Sequence, residues 1–136
     1  MSVALDTTAY VGIPWLDRGR TREGCDCWGL LRLVYTEVLG LEVPDYSEGY
    51  ASAGERATVS SLVAAGTRAW TRLAPGSERA GDAVLLRQAP WHVGVVVRPG
   101  LMLHMPEDSL SCCEPYDSGR WGRRVEGIYR LTEDAS

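Results

Sequence analysis

One helical stretch followed by a run of short strands constrains this chain more than any other feature. From Cys27 onward, Leu30, Leu31, Val34 and Val38 recur at the spacing that places them with Cys27 on one side of a helix. Gly40 follows as a C-terminal stop, so the helix is expected to run from Cys27 to about Leu39. A short helix over Asp6–Val11, ended by Gly12 and Pro14, and another over Glu55–Ala65 are also expected; Trp15–Gly24 and Val43–Gly54 read as loops. From Trp70 the pattern changes. Trp70–Leu73, Asp82–Arg87, His92–Arg98, Leu101–His104, Leu110–Glu114 and Val125–Leu131 are strand candidates, each bounded by Gly, Pro or Ser. Helices first and strands afterward predict an α+β fold, with N-terminal helices packed on an antiparallel sheet of about five or six strands. The 136 residues suffice for one domain with one core, expected to span 1–136.

The head of that helix carries chemistry. Cys27 lies in Cys25-Asp26-Cys27-Trp28-Gly29-Leu30, directly after a loop rich in Gly and Arg. In a first helical turn, free backbone N–H groups and the positive dipole end favour thiolate over thiol. The chain holds two histidines, His92 and His104, both in strand-like segments. A thiol at a helix start with histidines on strands is the assembly of a cysteine peptidase. In that assembly Cys27 attacks a carbonyl carbon, His92 moves the proton as general base and then acid, and His104 orients His92. The Cys27 backbone N–H is a candidate oxyanion donor.

This arrangement makes a demand on register. The turn Arg98-Pro99-Gly100 joins His92–Val97 and Leu101–His104 as a hairpin. A three-residue loop pairs Gly94 with His104 and leaves His92 and His104 as diagonal neighbours, their Cβ atoms roughly 7–8 Å apart. A two-residue Pro99-Gly100 loop puts them on opposite faces unless a bulge corrects it.

The same residues resemble the NlpC-type cell-wall cysteine peptidases, which have a reduced papain-like fold. Asp26-Cys27-Trp28-Gly29-Leu30 is similar to the family's Asp-Cys-Ser-Gly-Leu; Ala80-Gly81-Asp82-Ala83-Val84 to its Pro-Gly-Asp-Leu strand start; His92-Val93-Gly94-Val95 to its His-Val-Gly-Ile strand. His104 falls where the family places its third polar residue, and Ile13-Pro14-Trp15 resembles its Thr-Pro-Tyr. Two positions depart from the pattern. Trp15 stands for a tyrosine whose hydroxyl serves the oxyanion site, and Trp28 for a small serine, which narrows the groove. The resemblance is closest to the branch found in tails of phages and phage-like particles, through Cys25–Leu30, Pro44-Asp45-Tyr46 and the Trp121–Arg130 ending. It implies cleavage of peptidoglycan stem peptides, typically between D-glutamate and a diamino acid, with tail-tip or hub proteins as partners.

Other readings stand beside this one. Asp26 serves as a helix N-cap, and the resemblance adds a contact with the substrate's amine. Arg18, Arg20 and Arg22 form a solvated loop or meet substrate carboxylates; Trp15, Trp28 and Trp91 line a groove or pack. Cys25, Cys112 and Cys113 read as ordinary thiols. Adjacent cysteines and a single-residue spacer do not make zinc spacings, so neither metal nor cofactor is expected. A net charge of −4 argues against nucleic acid. No apolar run reaches the ~20 residues of a membrane helix. The first residues lack a signal-peptide pattern, which predicts a protein made in the cytoplasm, incorporated in a virion or tail and acting in the cell wall. A structural tail-tip protein with lapsed chemistry, or an amidase or acyltransferase on the same scaffold, are the competing functions.

Overall fold

A computed structural model describes residues 4–17, 19–41, 70–87 and 92–131. The predicted helix Glu55–Ala65 and loop Val43–Gly54, together with Arg18 and Trp91, lie outside them.

A two-stranded ribbon, β1 (Arg20–Thr21) and β2 (Gly24–Cys25), leads into α1 (Cys27–Val34). The chain then continues through one π-helical segment, Tyr35–Leu39, and stops at Gly40 in the left-handed region (φ 69°). That wider turn changes which residues face inward. Helical spacing predicts Val38 on the buried side, yet Val38 is 44% exposed and Leu39 packs on the core in its place. One extra residue per turn rotates the face by about one position.

The remaining strands are β3 (Trp70–Arg72), β4 (Ala83–Leu86), β5 (His92–Arg98), β6 (Leu101–His104), β7 (Cys112–Pro115) and β8 (Val125–Leu131). They form one antiparallel sheet of six strands in the order β3-β8-β4-β5-β6-β7. The α+β expectation holds, with α1 lying on β5 and β6.

Alternation sorts the sheet into two buried faces. Ala83, Leu85, Val93, Val95 and Leu103 meet Trp28, Leu30, Leu31 and Val34 of α1. Val84, Leu86, Val96 and Met102 meet Tyr116 and Trp121, which the segment after β7 folds back over the opposite face. At the start of β4, Asp82 accepts a two-pronged pair of hydrogen bonds from Arg130 of β8, each 2.8 Å. The Gly-Asp strand start therefore ties two neighbouring strands together. No helix among the described residues is long and apolar enough to cross a membrane.

The ends of β3 and β4 shift by one residue, the predicted loop Trp15–Gly24 carries β1 and the start of β2, and two further expectations change. Asp6–Val11 is a turn rather than a helix: Asp6 accepts from the Thr8 N–H (3.0 Å), a local bond that competes with helix formation. Leu110 and Ser111 precede β7 because they pair elsewhere, Leu110 bridging Pro14 and Ser111 exchanging bonds with Ile13.

Candidate active site

The N-terminus of α1 is held by polar bonds and by the absence of a side chain. Asp26 caps the helix, its Oδ1 accepting from the Gly29 N–H at 2.8 Å. The same oxygen takes Arg20 Nη1 at 2.9 Å, and Arg20 also donates to the Gly19 carbonyl. A Cβ on Gly29 would stand 2.1 Å from that carbonyl oxygen. Glycine in the third position of Cys27-Trp28-Gly29 therefore lets the first turn seat against the loop before it.

Cys27 opens this turn as the first residue of α1 and is buried. Its neighbour Cys25 is a different kind of thiol. Cys25 is wholly enclosed, and burial, followed by the Asp26 carboxylate, pushes it up to about 12. It stays protonated and inert at neutral pH.

The hairpin meets the register demand through a bulge. Arg98 pairs with Leu101 across Pro99-Gly100, Val96 pairs with Met102, and Val97 is the extra residue between. Gly94 consequently faces His104. The imidazoles meet, His92 Nε2 to His104 Nδ1, at 2.8 Å. Gly94 makes room for this contact: a Cβ there would come within 3.2 Å of His104 Cβ.

Two residues that sequence reasoning missed complete the cluster. Glu114 of β7 takes His104 Nε2 on its Oε1 at 2.6 Å. The same oxygen accepts from Trp121 Nε1 at 2.8 Å and Arg120 Nη2 at 3.2 Å. Trp121 stacks on His92 (centroids 5.4 Å apart, planes 21°) and meets His104 edge-on. Burial pushes His104 below its ordinary value against the opposing pull of Glu114. Burial alone would raise Glu114, but the bonds from Trp121, His104 and Arg120 outweigh it and hold the carboxyl below its usual range. The pair is thus a neutral imidazole donating to a carboxylate. Strand parity carries a signal for Glu114, which shares a face with Cys112, the partner of His104. Trp121, on a 3-10 turn (Gly119–Trp121), carries none.

Among the described residues, His104, Cys112 and Glu114 form a group whose donor atoms lie within 4.8 Å of one another, near enough for a metal. The carboxylate oxygen there is already occupied by three donors, one of them the Arg120 cation. Burial, then Glu114 and Cys113, also raises the Cys112 thiol, which disfavours the thiolate that a metal needs.

The other predicted residues part company. Trp28 has no exposed surface and belongs to the core under α1, so it does not narrow a groove. Trp15 is half-buried, packs on that core and bridges Cys25, beside the first turn of α1. Arg20 is committed to Asp26, and Arg22 pairs with Glu37 and covers the Tyr10 ring. These bonds tie the loop to its surroundings, Arg20 nearly enclosed and Arg22 still exposed.

The family model described as "NlpC/P60 family" matches residues 12–130. Protein P54 of Enterococcus faecium is 27% identical over 108 residues, covering 78% of this chain and 18% of that protein. Gamma-DL-glutamyl hydrolase of Bacillus subtilis is 23% identical over 134 residues, covering 95% of this chain and 29% of that protein. The chain thus spans less than a third of either curated relative's length. The crystal structure of the NlpC/p60 domain of peptidoglycan hydrolase SagA superposes with a TM-score of 0.61 at 19% identity, over 90% of each chain. At that identity the likeness shows a shared fold.

Proposed function

The chain belongs to the NlpC/P60 family of peptidoglycan hydrolases, and from that premise we propose that it is a cysteine peptidase cleaving peptidoglycan stem peptides. The observation that carries the reading is the bonded pair His92 and His104 on β5 and β6, the two strands on which the helix opened by Cys27 packs. Cys27 Sγ gives its proton to His92 Nδ1 and attacks the peptide carbonyl carbon. The Cys27 backbone N–H, at the positive end of α1, stabilises the oxyanion. The C–N bond breaks as His92 returns the proton to the leaving amine. Water then adds to the acyl-thioester with His92 as base, releasing a carboxylate and the free thiol. His104 keeps His92 oriented throughout. Asp26 holds the helix head in place, and Trp15 borders it.

The scissile bond we assign is that between D-glutamate and a diamino acid. The name of the gamma-DL-glutamyl hydrolase relative supports a γ-glutamyl linkage. As carrier we assign a phage-type tail tip, on the strength of the Cys25–Leu30, Pro44-Asp45-Tyr46 and Trp121–Arg130 sequences.

Purified protein incubated with muropeptides should release a new amino group, and Cys27→Ala should abolish the release. Wild type and Cys27→Ala equally inert on several wall chemotypes would end the hydrolase reading. Mass spectrometry of purified tail particles tests the carrier: the chain should be found at the tip, and its absence there refutes that assignment.

A further inference from the structure

We propose that Glu114 is a positioning residue: it sets the direction of the His92–His104 hydrogen bond and thereby keeps the proton of neutral His92 off Nδ1, the nitrogen that acts as the base. This rests on reading Cys27 and His92 as the reacting pair.

Proton counting along three groups fixes the direction of these bonds. A carboxylate only accepts, so at 2.6 Å the nitrogen facing Glu114 must carry a hydrogen. A bare His104 Nε2 there would set lone pair against lone pair. His104 is wholly enclosed and holds one ring proton, so its Nδ1 is bare. His92 Nε2, 2.8 Å from that Nδ1, must then be the donor. Whenever His92 holds a single ring proton, that proton is thereby placed on Nε2, and Nδ1 keeps the lone pair that takes the thiol proton. Reversing either tautomer reverses both, and puts a hydrogen on Nδ1, where it blocks that step.

Glu114 is itself fixed by more than His104. Trp121 Nε1 and Arg120 Nη2 donate to the same Oε1, so three donors on two elements converge on one oxygen. Trp121 additionally stacks on His92, covering the imidazole pair from the side away from α1. The chain of bonds from Glu114 through His104 to His92 thus gives a histidine pair the tautomeric order that an aspartate imposes directly elsewhere.

Two substitutions separate this role from simple packing. In Glu114→Gln the amide oxygen still faces three donors, so the bond direction is kept. In Glu114→Ala the acceptor is gone and both histidine orders become accessible. Ring 15N resonances should show His104 protonated on Nε2 and His92 on Nε2 in wild type and Glu114→Gln, with both tautomers mixed in Glu114→Ala. On muropeptides Glu114→Ala should lower kcat by roughly 10–100-fold with KM little changed, as loss of a histidine's outer partner does elsewhere. Glu114→Gln should restore most of it. An unchanged tautomer pattern in Glu114→Ala would overturn the proposal, as would a Glu114→Gln loss equal to that of Glu114→Ala in folded protein. If Glu114→Ala does not fold, wild-type spectra in which His92 carries its one ring proton on Nδ1, with Nε2 bare, overturn it equally. Because the nitrogen spectra need no turnover, a protein inert on every wall would refute the hydrolase reading while leaving this inference to be judged by its spectra.

Discussion

Replacing Gly29 by alanine should destabilise the protein, although it lies inside a helix where alanine is ordinarily the better residue. At an unencumbered helical site Gly→Ala gains about 1 kcal/mol. Here the new Cβ would stand 2.1 Å from the Gly19 carbonyl oxygen and 3.0 Å from Cys25 Cβ. Carbon–oxygen contacts settle near ~3.3 Å, so the loop must retreat by about 1 Å. It has little room to do so. The Gly19 N–H bonds the Leu16 carbonyl at 2.8 Å, Arg20 holds the Gly19 carbonyl at 2.8 Å, and the Gly19 backbone is packed against Gly24. Overpacking of this kind costs about 1–3 kcal/mol, and disturbance of the Asp26 cap adds about 1 kcal/mol more. Subtracting the helix gain leaves a net loss of about 1–3 kcal/mol. Urea unfolding measures it, with Gly40→Ala as the comparison: there the added Cβ meets no non-neighbouring atom of the described residues within 4 Å, and the cost is that of a left-handed backbone. A Gly29→Ala protein as stable as wild type, or more so, would refute the close seating of the helix on its loop.

Three further outcomes are expected. Trp28→Ala should cost about 3–5 kcal/mol in denaturant unfolding, as a wholly enclosed core aromatic does; a change in KM with stability intact would return Trp28 to the groove. Cys25, held up to about 12, should resist alkylation at neutral pH until the protein unfolds, while Cys27 reacts in the native state; mass mapping of labelled peptides decides this, and early labelling of Cys25 would contradict its burial. Acid should weaken the fold in two stages. His104 and Glu114 both lie below their ordinary values of 6.5 and 4.5, so the unfolded chain binds more protons and stability falls as pH drops through each range. The urea midpoint should therefore decline from about pH 7 to pH 5.5, and His104→Gln should flatten that part; a midpoint that rises on acidification would refute the sign.

The parts legible in the sequence are those governed by local spacing. The strands His92–Arg98, Leu101–His104 and Val125–Leu131 have the predicted limits because Gly, Pro and the charged turn residues around them act on their own neighbours. The head of α1 was legible for the same reason, Asp26 and Gly40 being capping residues at the two ends of one period. What tertiary contact decides was not. Val38 lost its buried place to Leu39 through a π turn that no residue type announces. Trp28 looks like a groove residue beside a nucleophile and is core, since only the sheet's position reveals which side of the helix is covered. Glu114 and Trp121 join the imidazoles from a strand and a turn beyond the hairpin, at a sequence distance where spacing carries no information about Trp121.

The hairpin itself shows how the core selects the register that chemistry needs. Across the two-residue Pro99-Gly100 connection, an unbulged ladder would put Val95 opposite His104 and turn that imidazole toward α1. His104 would then enter a face built from Val93, Val95, Leu30 and Leu31, at a cost of about 2 kcal/mol or more for an unpartnered polar ring. Leu103 would leave that face in the same slip. The bulge at Val97 avoids both, returning Leu103 to the α1 side and Met102 to the Trp121 side. Its own backbone penalty is small because the Val97 carbonyl finds a donor in the Leu5 N–H at 2.8 Å. Gly100, with φ 94°, accepts the turn that an ordinary residue would resist. The sorting of apolar side chains between two faces thus brings His92 and His104 together, and it would do so whether or not a thiol stood at the head of α1. Catalysis adds a demand only at the outer end, where a carboxylate on the neighbouring strand must hold the second imidazole in one tautomer.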